Sequence, residues 1–284
     1  MKKFFKILGW TFAVLIIGMV SLMAVFMYKV KNGFPVSYET EIPEINFPTD
    51  KPLILLFSKS TGFRHGESIE AGKAVFADLA AKNNWFVYAT ESGGVFNKEQ
   101  LLKFDLVIFN NSTGRILNDE QQTLLEGYVE NGGKLLGIHG AGDDSHHWKW
   151  YEDNLLGARF SHHPLNPQIQ SAEVILNSVP DSLVSAGLSP SWTHSDEWYI
   201  FFENPRDKGF NVIYNIDGDK IIPDGNILWM KEKNFGMGKD HPVAWYKDTG
   251  KGRTYYTSMG HAGSTWEKQE FRQLIEHIVS RTIQ

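Results

Sequence analysis

Cysteine is absent from all 284 residues. That excludes disulfides, thiolate zinc centres and a cysteine nucleophile, and it suits an oxidising compartment, where a stray thiol is a liability. Three glycine signatures are missing as well: the G-x-S-x-G elbow, the G-x-x-x-x-G-K-[ST] phosphate loop and the G-x-G-x-x-G dinucleotide turn. A serine hydrolase, a P-loop NTPase and a Rossmann dehydrogenase thereby lose their main support. Neither H-E-x-x-H nor another spaced metal signature occurs, and no internal repeat or low-complexity segment is present. Basic charge is scarce outside the first 31 residues. Five of the 28 basic residues (Lys2, Lys3, Lys6, Lys29, Lys31) lie there without any acid, leaving 23 basic against 33 acidic residues, a net charge of −10. Nucleic acid needs a basic footprint, so it is not an expected partner.

Charge is also missing from Ile7–Tyr28. At ~1.5 Å per residue this stretch makes roughly 33 Å of helix, enough for a bilayer core of about 30 Å. Lysines flank both ends, and the positive-inside rule places the N-terminus in the cytoplasm and the rest outside. A cleaved signal peptide is the rival reading, but the apolar run is long for one and no A-x-A site stands near Val20–Phe26. The expected organisation is a cytoplasmic N-terminus over residues 1–6, a transmembrane anchor over 7–28, a Pro-containing linker over 29–51 and a domain over 52–283.

From Leu53 onward short apolar runs alternate with helical patterns. Leu53–Phe57, Trp85–Ala89, Leu106–Phe109 and Lys134–Ile138 read as strands. Between them lie an amphipathic helix over Glu67–Asn83, a short helix at Lys98–Leu102 and a helix capped by Asn118 running to Asn131. This alternation is the mark of a doubly wound sheet. Beyond a helical stretch at Trp148–Leu156 the chain becomes strand-rich. Phe160–Pro164, Ala172–Leu176, Trp192–Phe202, Phe210–Ile216, Ile227–Trp229, Pro242–Tyr246 and Arg253–Thr257 are extended candidates, and Trp266–Thr282 closes as a helix.

Histidines mark the functional edge. In an open α/β sheet ligands bind at the C-terminal ends of the strands. His65 follows the first strand and His139 the fourth, with Asn110 at the end of the third; His261 joins them if its strand runs the same way. Imidazoles with carboxylates suit a divalent ion such as zinc or acid–base work without one. His65, His139, His163 and His261 are the metal candidates. Of the neighbours His162 and His163, alternation lets only one face a site. Asp196 and Glu197, flanked by Trp192, Trp198 and Tyr199, fit either a carbohydrate site or a solvent-facing acidic pair. Asp143 and Asp144 serve as helix caps or orient an imidazole. Trp148 and Trp198 offer flat faces for a sugar ring, although core packing explains a tryptophan more often.

These residues fall in a familiar order. TGFRH at Thr61–His65, GGKLLGIHG at Gly132–Gly140, SHHP at Ser161–Pro164, DEWY at Asp196–Tyr199, HPVAW at His241–Trp245 and GKGRTYYTSMGH at Gly250–His261 resemble the trehalose-utilisation, or ThuA-like, family. The resemblance runs from about Pro52 to Ile283. It implies a flavodoxin-like, doubly wound, mostly parallel sheet similar to class I glutamine amidotransferases, here preceded by one N-terminal transmembrane helix. In the amidotransferases a G-x-C-x-G turn presents the nucleophile; His139 stands at that place in this chain, so glutaminase chemistry is excluded. The resemblance also implies carbohydrate metabolism, near disaccharides and keto-sugars, without establishing trehalose as substrate.

The resulting expectation is a membrane-anchored, extracytoplasmic protein that hydrolyses, eliminates or isomerises a small carbohydrate. His139, His65, Asp196, Glu197 and His261 are the catalytic candidates. Arg64, Asn110, Asp143, His163, Trp148 and Trp198 are the substrate-binding candidates, with Arg64 set to hold an anionic or enolate oxygen. A non-catalytic sugar-binding module and a scaffold remain the alternatives.

Overall fold

The computed structural model describes residues 2–32, 36–143, 147–225 and 237–283. Asp144, His146 and the strand candidate Ile227–Trp229 lie outside the described residues. The chain forms two compact units, residues 1–37 and 38–284.

The first unit is one helix, α1 (Lys2–Asn32). Its stretch Lys3–Phe26 is long and apolar enough to cross a membrane, as an anchor or as a signal sequence. Trp10, Phe12, Leu15, Ile17 and Met19 are exposed all round it.

The second unit is built on a nine-stranded sheet. Its strands are β1 (Leu53–Phe57), β2 (Phe86–Thr90), β3 (Leu106–Asn110), β4 (Lys134–Ile138), β6 (Gln170–Leu176), β7 (Ser191–Asp196), β9 (Asn211–Ile216), β10 (His241–Thr249) and β11 (Gly252–Thr257). A separate two-stranded ladder joins β5 (Phe160–His162) to β8 (Ile200–Phe201). The sheet order is β2-β1-β3-β4-β11-β10-β9-β6-β7. From β2 to β11 every ladder is parallel. From β11 to β7 every ladder is antiparallel. The parallel half has the flavodoxin-like order and is extended at one edge by antiparallel strands.

Both faces of the sheet are covered. Ile54 and Leu56 of β1, Ile108 of β3 and Ile138 of β4 pack with Phe76 of α2 (Gly66–Asn83) and with Phe271, Leu274 and Ile275 of the C-terminal helix Gln269–Thr282. Leu55, Phe57, Val107, Phe109 and Leu135 point the other way, onto Leu125 and Tyr128 of α3 (Asp119–Glu130) and onto Tyr151, Leu155 and Leu156. Each such buried side chain contributes ~1.5–3 kcal/mol. α3 begins at a full capping box: Asn118 Oδ1 accepts Gln121 N–H at 2.9 Å and Gln121 Oε1 accepts Asn118 N–H at 3.0 Å.

Several boundaries differ from the sequence reading, among them three outside the strands. Lys98–Leu102 is only a turn of 3₁₀-helix at Leu101–Lys103. The last helix starts at Gln269, behind a 3₁₀ turn at Gly263–Glu267. The compact unit begins at Tyr38 rather than at Pro52, because residues 38–50, though irregular, are bonded to it. Lys59 Nζ reaches Glu39 Oε2 at 2.6 Å, Gln121 Nε2 donates to the Glu39 carbonyl at 2.7 Å and Gln100 Nε2 to the Pro43 carbonyl at 2.6 Å. Ile45 and Phe47 pack on the second core layer.

Candidate metal and acid–base centre

The C-terminal ends of β1, β3, β4 and β11 bring the centre together. Because β11 pairs parallel with β4, its C-terminal turn ends beside the turn after β4, and His261 meets His139. His65 arrives from the turn after β1, one residue before α2. One donor atom each of His65, His139, Glu197 and His261 lies within 4.8 Å of the other three. His65, His139 and Glu197 are buried, and His261 is partly exposed.

His139 is the pivot. It directly follows β4 and takes φ +43°, a left-handed conformation that costs a non-glycine residue energy. Its surroundings hold it there. Tyr256 Oη–H donates to the His139 carbonyl at 2.9 Å, and Gly140 N–H donates to Asn111 Oδ1 at 3.1 Å. Close approach requires the glycines that follow. A Cβ on Gly140 would stand 2.9 Å from Thr113 Cγ2, and one on Gly142 would stand 2.2 Å from Tyr256 Oη. The imidazole Nδ1 lies 2.7 Å from the Ser258 carbonyl, an acceptor, so Nδ1 carries the hydrogen. Nε2 then faces His261 Nδ1 at 3.3 Å and Glu197 Oε2 at 3.5 Å.

Glu197 is clamped by one oxygen and offered by the other. Oε1 accepts Gln168 Nε2 at 2.6 Å and lies 3.1 Å from His163 Nδ1. Oε2 lies 3.2 Å from His261 Nδ1 as well as beside His139. Burial opposes ionisation of this carboxyl, but the His139 and His261 contacts outweigh it and hold Glu197 well below the usual carboxylate range. His139 moves the opposite way: burial disfavours its charge, yet Glu197, Asp196 and the Ser258 carbonyl raise it. His65 is pushed down to about 3 by burial first and by the neighbouring His139 and His261 second, so it is neutral, and its buried Nδ1 has no hydrogen-bond partner.

Asp196 does different work from its neighbour. Its Oδ2 accepts Gly260 N–H at 2.8 Å and Thr265 Oγ1–H at 3.2 Å, and lies 2.9 Å from His194 Nε2. Its Oδ1 accepts His261 N–H at 3.1 Å. Burial would raise this carboxyl, but His194, His139 and the Gly260 amide hold it lowered. Asp196 therefore fixes the turn that carries His261, and its carboxylate is consumed in doing so.

Other expected residues fall in and around the centre. His163 contacts Glu197 and stacks on Tyr199, whereas His162 is turned to the Pro223 carbonyl at 2.7 Å. His163 is not among the four converging donors; Glu197 takes that place. Asp143 keeps some solvent contact, yet burial of its carboxyl raises it to about 6, with the Tyr199 hydroxyl as hydrogen-bond partner.

Four expected binders are engaged elsewhere. Arg64 makes a two-pronged pair with Glu91, both contacts 2.8 Å, and that pairing raises it. Asn110 is buried and donates to the Ile69 carbonyl at 3.1 Å; Asn111, one residue on, is the one that supports the His139 turn. Trp148 is buried against Tyr151 and donates to Glu126 at 2.7 Å. Trp198 is fully buried and donates to the Gln170 carbonyl at 2.8 Å. Sequence reasoning left Tyr199 as a flanking aromatic without a role and did not reach Gln168. Tyr199, whose ring centroid lies 4.3 Å from that of His139, was reachable: it is two residues from Glu197 in extended chain and so shares its side. Gln168 sits in an irregular Pro-flanked loop and carries no periodic signal.

Three imidazoles and one carboxylate are a donor set for zinc or a similar divalent ion. The fit rests on the neutral His65 with its unpartnered nitrogen, on the Nε2 of His139 turned inward by Ser258, and on the Glu197 oxygen left over by Gln168.

Comparison with known proteins agrees with this architecture. A ThuA-like protein from Bacteroides uniformis ATCC 8492 is similar in fold, with a TM-score of 0.67 at 21% identity, covering 88% of this chain and 95% of that one. A ThuA-like protein from Parabacteroides merdae ATCC 43184 gives a TM-score of 0.61 at 17% identity, over 82% and 90% of the two chains. No curated protein sequence matches the chain. Residues 53–279 match the family model described as ThuA, trehalose utilisation, and the chain belongs to that family.

Proposed function

We propose that the protein is a membrane-anchored, extracytoplasmic enzyme that acts on a glycoside or keto-sugar through a divalent ion and acid–base groups at this centre. The observation that carries the reading is the convergence of His65, His139, His261 and Glu197 within 4.8 Å. A divalent ion held there would polarise a sugar carbonyl or hydroxyl.

The chain's own groups complete the chemistry. His163 Nδ1 faces two acceptors, the Pro164 carbonyl and Glu197 Oε1, both at 3.1 Å, so it bears the hydrogen. Its Nε2 makes no hydrogen bond among the described residues. Elimination and isomerisation of a keto-sugar share a first event, loss of the proton on the carbon beside the ketone. His163 Nε2 accepts that proton, and Asp143, raised to about 6, holds or returns one near neutrality. Asp196 and His194 keep His261 in place throughout. The lysines that flank the apolar stretch, three before it and two behind, support the outward orientation.

The test uses the full-length chain in detergent. Elemental analysis is expected to find one divalent ion per chain. Incubation with trehalose and with a keto-trehalose, followed by carbohydrate NMR, is expected to show conversion of at least one, lost on chelation and in Glu197→Gln. Retention of sugar without product would instead make the protein a binding module, and neither ion nor sugar would leave it a scaffold. Protease added to spheroplasts is expected to digest the domain; protection would reverse the orientation.

A further inference from the structure

Phe63 stands out among the side chains around the centre because it gains little from folding. It is 68% exposed, the most exposed aromatic ring of the described residues of the second unit. The exposed Phe202 has the Arg159 guanidinium over its face at 4.5 Å. Among the described residues, the ring contact of Phe63 is a near-perpendicular one with His65, centroids 4.9 Å apart at 77°.

The turn that presents it is tied down by hydrogen bonds. The Thr113 carbonyl accepts Thr61 N–H at 2.8 Å and Gly62 N–H at 3.3 Å, and Thr113 Oγ1 donates to the Phe63 carbonyl at 2.8 Å. Ser60 and Thr113 add a bridge of parallel type. Three consecutive residues, Thr61, Gly62 and Phe63, are thus tied to the strand end of β3. The ring's backbone is fixed before any ligand arrives, which lowers the ordering cost of binding. The ring stands nearly perpendicular to an imidazole of the centre, at 77°, and is mostly open to solvent.

We propose that Phe63 is the platform on which a pyranose ring of the substrate stacks while its reacting end meets His65, His139, His261 and Glu197. The inference rests on the sugar reading above. A sugar ring presents an apolar C–H face to such a surface. Phenylalanine carries no polar handle, so the platform selects for ring shape and leaves hydroxyl recognition to other groups. The TGFRH turn then has a divided role: His65 serves the centre, Phe63 the substrate, and Arg64 braces the turn through Glu91.

Titration calorimetry of the full-length, zinc-supplemented protein in detergent with keto-trehalose and with trehalose tests this. Phe63→Ala and Phe63→Leu are expected to weaken binding by about ten-fold or more, while Phe63→Tyr stays within about two-fold. Zinc content and Tm are expected to match the wild type in all three. Equal binding by wild type and Phe63→Leu overturns the platform alone. Loss of zinc in Phe63→Ala also overturns it, since Phe63 would then only shield His65. A wild type that binds neither sugar overturns both the platform and the sugar reading.

Discussion

His139 Nδ1 is held 2.7 Å from the Ser258 carbonyl while its Nε2 faces Glu197 Oε2 at 3.5 Å. One ring nitrogen is therefore committed to the backbone, and proton gain or loss takes place at the other. Glu197 raises His139, and His139 lowers Glu197, so a proton on Nε2 competes with a metal ion for the same position. Zinc is expected to raise Tm, with a larger increase at about pH 8 than at about pH 6, and affinity is expected to fall about ten-fold per pH unit once His139 is protonated. Thermal melts and chelator competition at the two pH values read this out. A zinc affinity independent of pH would count against the arrangement.

Gln168 governs how Glu197 is presented. With Oε1 taken by Gln168 at 2.6 Å, Oε2 is the oxygen left for the centre. Groups that orient a ligand in this way typically affect metal affinity by about 10–100-fold. Gln168→Ala is expected to weaken zinc binding by that factor while the far-UV circular dichroism is unchanged. Competition with a chromophoric chelator measures it, and an unchanged dissociation constant would remove Gln168 from the role.

His241 sets an acid limit on stability. It is fully buried, its Nε2 is 3.1 Å from the Tyr199 carbonyl, and burial lowers it to about 4. The native state thus keeps it neutral where the unfolded chain, titrating near ~6.5, already takes up a proton. Its contribution is full above about pH 6.5, declines as pH falls and is gone near pH 4, a total of about 3 kcal/mol. Urea unfolding from about pH 7 to pH 4 is expected to show this slope, reduced in His241→Asn.

Arg64 and Trp148 separate bracing from binding. The exposed Arg64–Glu91 pair is worth at most about 1 kcal/mol, so Arg64→Ala is expected to melt near the wild type and to keep its sugar affinity. Trp148→Ala removes a buried indole and is expected to cost about 3–5 kcal/mol with little change in KM. Calorimetric melts alongside steady-state kinetics distinguish the two. A large KM rise in Arg64→Ala would return the guanidinium to the binding site.

The parallel half of the fold was plain in the sequence because β1, β3 and β4 are unbroken apolar runs buried on both faces. The ends of those runs already named His65 and His139. His261 depended on strand direction, which an apolar run does not encode; the parallel pairing of β11 with β4 decides it. The choice between Asp196 and Glu197 was closed to sequence reasoning for a similar reason, since alternation places them on opposite sides without saying which side is inward. The pairings of Arg64 and Trp148 were not legible because their partners, Glu91 and Glu126, lie 27 and 22 residues away. Segment 38–50 carries too few apolar residues to announce its packing, and Lys59, Gln100 and Gln121, which hold it, are all distant in sequence.

The bond from Gly140 N–H to Asn111 Oδ1 bears on what this turn can become. In acyl transfer, the amide after the nucleophile belongs to the oxyanion hole. Here that donor is already satisfied by a buried carboxamide. His139→Cys would therefore install a thiolate beside a stoppered hole, with the tetrahedral oxygen left to find its donors elsewhere. Turning this site to amide hydrolysis would demand release of Asn111 as well as a new nucleophile, two changes where the strand-end turn alone suggests one.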